Sequence, residues 1–192
     1  MGDNRNEGAI LHITGETRVY VVIGHPIAQV KSTHLYNSLA AQSSADVVFI
    51  PMQFSAENFE RSVDGLRAFK NLAGIIPTIP HKPRMMDVVD SCSERAKIVG
   101  AVNSIRVEPD GRWIGDMFDG IGYVNGLIKN GHQPENKSFL LVGAGGAGAA
   151  ISIALADVGV QRLRIVDIDQ GKVERIITNV RANYPGVKID TG

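Results

Sequence analysis

A single cysteine, Cys92, has no partner within the 192 residues, which excludes an intrachain disulfide and a thiolate metal cluster. An excess of one charge is missing too. The 20 basic and 20 acidic residues cancel, and neither a basic run nor an aromatic-interleaved stripe occurs. The electrostatic footprint of a nucleic-acid or membrane-surface binder is therefore absent. No apolar stretch approaches the ~20 residues that span a bilayer, and the opening MGDNRNEGAILHITGET lacks the apolar core of a signal peptide. The five histidines, His12, His25, His34, His81 and His132, form no ligand-like pair at helical spacing, so no metal site is expected. These absences leave a small-molecule partner and a reducing, cytoplasmic setting as the expectation.

What is present alternates between strand and helix patterns. Arg18 to Ile23 (RVYVVI) is a short β-branched run ended by Gly24 and Pro26. Ser32 is positioned to cap a helix containing Leu35 and Leu39, after which Asp46 to Gln53 is strand-like. A second helix from Ser55 places Phe59, Val63, Leu66 and Phe69 on one face, and Leu72 to Ile79 returns to a strand broken at Pro77. Such alternation predicts an α/β lobe with a mostly parallel sheet. Val102 to Val107 and Trp113 to Gly115, joined through Asp110-Gly111, predict a small hairpin that closes it. Asp119 to Asn130 predicts a linking helix ended by Gly131, with Gln133 to Lys137 as a polar hinge. Ser138 to Val142, a helix to Val158, a strand Arg162 to Asp167, a helix from about Asp169 to Tyr184 and a third strand at Val187 to Asp190 then form a Rossmann-type unit. The expected domains are 1–115, with a leader over 1–17, and 116–192.

The loop Gly143-Ala144-Gly145-Gly146-Ala147-Gly148 lies between an apolar strand and an alanine-rich helix, the context a dinucleotide fingerprint requires. Gly143 permits the tight turn, Gly145 lets the backbone approach a pyrophosphate, and Gly148 lets the helix pack on its strand. The helix N-terminus then faces the phosphates. Asp167, 19 residues beyond Gly148, stands where a carboxylate accepts hydrogen bonds from the adenosine ribose, which points to NAD over NADP. The competing reading makes Asp167 a helix cap.

Lys82 and Asp119, taken singly, read as a solvated lysine and a helix cap. In order, however, Gly24-His25-Pro26-Ile27 with Lys31-Ser32, Thr78-Ile79-Pro80-His81-Lys82, Gly100-Ala101-Val102-Asn103-Ser104, and Gly115-Asp116 with Asp119-Gly120 resemble the shikimate/quinate dehydrogenase family from about Val19 to Asp169. That resemblance implies a substrate lobe and a nucleotide lobe, with hydride passing between nicotinamide and a cyclic hydroxy acid. It makes Lys82 and Asp119 the catalytic pair, and assigns substrate contacts to Ser32, Thr78 and Asn103. Without it, those three are turn or loop-capping residues.

Three positions depart from the family pattern. Val30 replaces the first serine of Ser-Lys-Ser, Ile76 replaces the Asn of Asn-Val-Thr-Val-Pro, and Met117-Phe118 replaces Asn-Thr. A substrate hydroxyl buried against Ile76 without a partner costs about 1–3 kcal/mol, so a less hydroxylated acid than shikimate is expected. The family's nucleotide domain continues for several more strands, so only its first half is expected here, with an uncovered edge. The expected assembly is a single chain or a homodimer. The alternative from another class is a nucleotide-responsive binding protein without turnover, and a third is an amino-acid-type or folate-type dehydrogenase of the same plan.

Overall fold

The computed structural model describes residues 12–191, and most of the leader expected over 1–17 lies outside them. Two compact units divide the chain. Among the described residues, one comprises 12–81 together with Ile105–Ile114, and the other Lys82–Ser104 together with 115–191.

The first unit is built on β1 (Arg18–Gly24), whose β-branched residues are buried from Val21 to Ile23. This strand pairs in parallel with β2 (Val47–Gln53) on one side and β3 (Leu72–Pro77) on the other. β3 is an almost unbroken apolar run, as a strand covered on both faces must be. α1 (Ser32–Gln42) and α2 (Phe59–Arg67) provide the crossovers. The expectation that Ser32 caps α1 is corrected, because Lys31 occupies the cap position without a side-chain bond and Ser32 is the first helical residue. α2 buries Phe59, Val63 and Leu66 but stops at Arg67, so Phe69 leaves the stripe and is 60% exposed. The buried His81 approaches the Phe54 carbonyl through Nε2 at 2.9 Å and stacks on the Phe54 ring. The sheet then turns antiparallel. β5 (Ser104–Val107) pairs with β3 at Gly74↔Arg106 and Ile75↔Ile105, and β6 (Trp113–Asp116) follows it in the order β2-β1-β3-β5-β6.

In the second unit, β4 (Ser91–Cys92) leads to Ser93, whose N–H donates to the Gly115 carbonyl at 3.1 Å. Next comes α3 (Glu94–Val99), a helix absent from the sequence reading. Its signals were Ser93, whose hydroxyl accepts the Ala96 N–H, and Gly100, which closes it in a left-handed conformation. α4 (Asp119–Lys129) packs on α5 (Gly146–Asp157) so closely that a Cβ at Gly120 would lie 2.8 Å from Ala154 Cβ. β7 (Ser138–Val142), β8 (Arg162–Val166) and β9 (Lys188–Thr191) form a parallel sheet in that order, connected by α5 and by α6 (Gln170–Asn183). Leu163, Ile165, Ile176, Ile177 and Val180 make its core, while Leu140 and Val142 are exposed. The segment expected as a hinge, 133–137, belongs to this unit: Pro134 is buried between exposed neighbours, and the Asn136 N–H donates to the Gly159 carbonyl at 2.9 Å.

Candidate active site

Lys82, Asn103 and Asp119 converge within the second unit. Lys82 is held through its backbone, its carbonyl accepting the N–H of the fully buried Val102 at 3.0 Å. The next residue, Asn103, donates its own N–H to the Asp116 carbonyl at 2.9 Å. Asp119 opens α4 and therefore stands at the end of a helix rather than on a loose loop. Lys82 Nζ donates to Asp119 Oδ2 at 2.5 Å, with the two side chains 15% and 26% exposed. Asn103 Nδ2 donates to the other carboxylate oxygen, and Asn103 Oδ1 accepts the Phe118 N–H at 2.8 Å. Asn103 thus orients Asp119, and Asp119 orients the ammonium. An ammonium held this way is a proton donor of fixed direction at a partly desolvated position.

The glycine loop borders this group, since a Cβ placed on Gly146 would lie 3.8 Å from Lys82 Cδ. Gly143 adopts φ +109°, which a side chain would oppose, and a Cβ on Gly148 would collide with the Gly143 carbonyl oxygen. Gly145 caps α5 without a side chain and has open space above it. The first N–H groups of a twelve-residue helix are consequently free to meet an anion. Beside them Ala144, Gly145 and Gly146 line a cavity of about 120 Å³ with Lys172 and Arg175 of α6. Neither basic residue was singled out from the sequence, although their helical spacing places both on one face.

Asp167 has backbone partners that the sequence did not reveal. Its Oδ2 accepts the Ala144 N–H at 2.6 Å and its Oδ1 accepts the Asp169 N–H at 2.8 Å. These backbone donors, Ala144 foremost, hold its carboxyl below the usual range. The helix cap is Asp169, which accepts the Lys172 N–H at 3.2 Å. Both oxygens of Asp167 thus brace the glycine loop and the turn after β8, and each keeps acceptor capacity for a further donor.

Ser32 and Thr78 belong to the first unit, apart from this group. Ser32 is half-buried at the start of α1. Thr78 follows β3, donates its N–H to the Ile23 carbonyl at 2.8 Å, and packs its methyl against Gly24. The sequence reading also assigned no part to Arg95 or Asp116. Arg95 Nε donates to Asp116 Oδ1 at 2.7 Å, and a terminal guanidinium nitrogen donates to Asp116 Oδ2. Burial works to raise the Asp116 pKa, but donation from Arg95, Ser93 and Met117 outweighs it and holds the group below its ordinary value. Among the described residues no group of three or more His, Cys, Asp or Glu is arranged to hold a metal ion, and no helix is long and apolar enough to cross a membrane.

Residues 22–105 match the family described as the shikimate dehydrogenase substrate binding domain. A shikimate dehydrogenase (NADP(+)) of Rubrobacter xylanophilus is 37% identical over 164 residues, covering 85% of this chain and 57% of that protein. The structure of shikimate 5-dehydrogenase from Listeria monocytogenes in complex with shikimate and NAD superposes with a TM-score of 0.86 at 30% identity, covering 94% of this chain and 62% of that one. A shikimate dehydrogenase in complex with NADP+ superposes at 0.85 with 29% identity, covering 94% and 63%. The chain spans about three-fifths of the length of these proteins. The expectation of NAD is corrected here: similar curated proteins are named for NADP(+), a similar structure holds NADP+, and the Asp167 carboxylate on which NAD rested is given to backbone donors. With the ordered motifs, the α/β fold and these similarities in agreement, the chain belongs to the shikimate dehydrogenase family.

Proposed function

We propose that this chain carries the proton-transfer and dinucleotide-binding machinery of an NADP-dependent oxidoreductase acting on the CH–OH group of a small cyclic hydroxy acid. The observation that carries the reading is the Lys82–Asp119 contact beside the glycine loop. Lys82 gives a proton to the substrate oxygen, or takes one from it, as charge develops there, and Asp119 fixes the direction of the ammonium. Asn103 keeps Asp119 turned toward Lys82 and has a second amide hydrogen to offer a substrate hydroxyl. Ser32 and Thr78 contribute hydroxyls for the substrate carboxylate.

The free N–H groups of Gly146 and Ala147 suit a pyrophosphate, and Lys172 and Arg175 add positive charge beside the loop. The bound nicotinamide supplies the hydride chemistry itself. The functional domains in this reading are 1–115 for substrate and 116–192 for dinucleotide, and the setting is cytoplasmic. Val30 and Ile76 line the substrate side with apolar surface, so a ring acid with fewer hydroxyls than shikimate or quinate is the better substrate.

A panel of ring hydroxy acids incubated with NADP and NAD, followed by the absorbance of the reduced nicotinamide, tests the proposal. Reduction of NADP with one or more acids is expected, with shikimate and quinate slower than a less hydroxylated acid. Tight NADP binding by calorimetry without turnover of any acid contradicts it.

A further inference from the structure

Asp119 is the first residue of α4, and the opening turn of a helix is ordinarily steadied by a side chain that satisfies its free N–H groups. Phe118, at the cap position, has no side-chain oxygen and makes no such bond. Other groups fix the turn instead. Asn103 Oδ1 takes the Phe118 N–H at 2.8 Å. From α3, Arg95 makes its two-pronged bond to the Asp116 carboxylate and lays its guanidinium 4.7 Å from the centre of the Phe118 ring. Arg95 therefore grips residues 116 and 118 on either side of the buried Met117. Asp116 is held from below by Ser93 Oγ at 2.5 Å and by the Met117 N–H at 2.7 Å. All of these residues lie in the same compact unit as Lys82 and Asp119.

We propose that Arg95 is a positioning residue for Lys82: by clamping Asp116 and Phe118 it fixes the uncapped start of α4 and so holds Asp119 against Lys82 Nζ. The inference rests on the Lys82–Asp119 reading above. It requires the planar two-pronged guanidinium, because a lysine at this place reaches one oxygen and stacks poorly. It also requires that a capping side chain at position 118 relieve the dependence on Arg95.

The test is competitive acetylation of the full chain with acetic anhydride, read at each lysine by mass spectrometry, with Lys188 as internal reference. A lysine side chain that is 15% exposed and engaged by a carboxylate is shielded from the reagent, and release of that contact raises the rate. Asp119→Asn is expected to raise Lys82 acetylation about tenfold, and Arg95→Leu about three- to tenfold, as for loss of one hydrogen bond to a charged group. Arg95→Leu introduced together with Phe118→Thr is expected to raise it less than about twofold over Phe118→Thr alone.

Arg95→Leu with wild-type acetylation of Lys82 overturns the proposal, as does an Arg95 effect undiminished by Phe118→Thr. If Asp119→Asn also leaves Lys82 unchanged, the Lys82–Asp119 reading itself fails. Circular dichroism establishes that each variant is folded. Should Arg95→Leu lose its structure, Arg95→Lys, which keeps the stem and the charge, is read by the same criteria.

Discussion

A methyl group on Gly148 meets backbone, and that backbone is pinned. An ideal Cβ at this position collides with the Gly143 carbonyl oxygen and lies 3.0 Å from its carbonyl carbon. Gly143 is held at φ +109°, its N–H donates to Val166 at 2.8 Å, and the next N–H donates to Asp167. Relief therefore requires the loop or the first turn of α5 to shift, and overpacking of this kind costs about 1–3 kcal/mol. The helix preference of Ala over Gly returns at most about 1 kcal/mol of that. Gly146 differs, because a Cβ there meets only Lys82 Cδ at an ordinary 3.8 Å. Gly146→Ala should be neutral or gain about 0.5 kcal/mol through the unfolded chain. At about 2–4 °C per kcal/mol for a chain of this size, Gly148→Ala should melt several degrees below the wild type and Gly146→Ala at or slightly above it. Differential scanning calorimetry of the three proteins is the assay. Equal melting of Gly148→Ala and wild type, or an equal loss in both variants, refutes the reasoning that contact with the loop backbone decides the outcome.

Asp116 makes stability depend on acid. Its folded pKa lies below the unfolded value of about 3.9, so its contribution is present above that value and is lost as pH falls through the folded pKa. Urea unfolding should show Asp116→Asn less stable than wild type at about pH 7, with the gap narrowing as pH falls below the unfolded value; a gap that does not change with pH contradicts the assignment. Ile76→Asn should raise kcat/KM for shikimate by about tenfold to a hundredfold if an unpaired hydroxyl is what limits it, and steady-state rates without improvement remove Ile76 from the substrate wall.

The elements with long periodic patterns were legible in the sequence because one physical preference ran through each. β1 is rich in β-branched residues, and the glycine loop carries its strand and helix on either side. α3 escaped because six residues hold too little apolar periodicity, and only Ser93 and Gly100 mark its ends. Asp167 was read as a ribose ligand from its place after β8, and its bonds to backbone escaped because one donor, the Ala144 N–H, is 23 residues away. The Lys82–Asp119 pairing was legible through the order of motifs, whereas the bracing around it was not. Asn103 to Phe118 and Arg95 to Asp116 are contacts between separate elements, set by tertiary packing and without a local signature.

The central claim is that Lys82 and Asp119 perform one proton-transfer step together, and a double-mutant cycle on kcat tests it most directly. Lys82→Ala is expected to lower kcat by about 10²–10⁴ with NADP affinity little changed, because the lysine works at the substrate. Asp119→Asn is expected to impair turnover as well, and the double variant to lose much less than the product of the two single losses. A Lys82→Ala protein with kcat near that of wild type, or losses that simply multiply, contradicts the account.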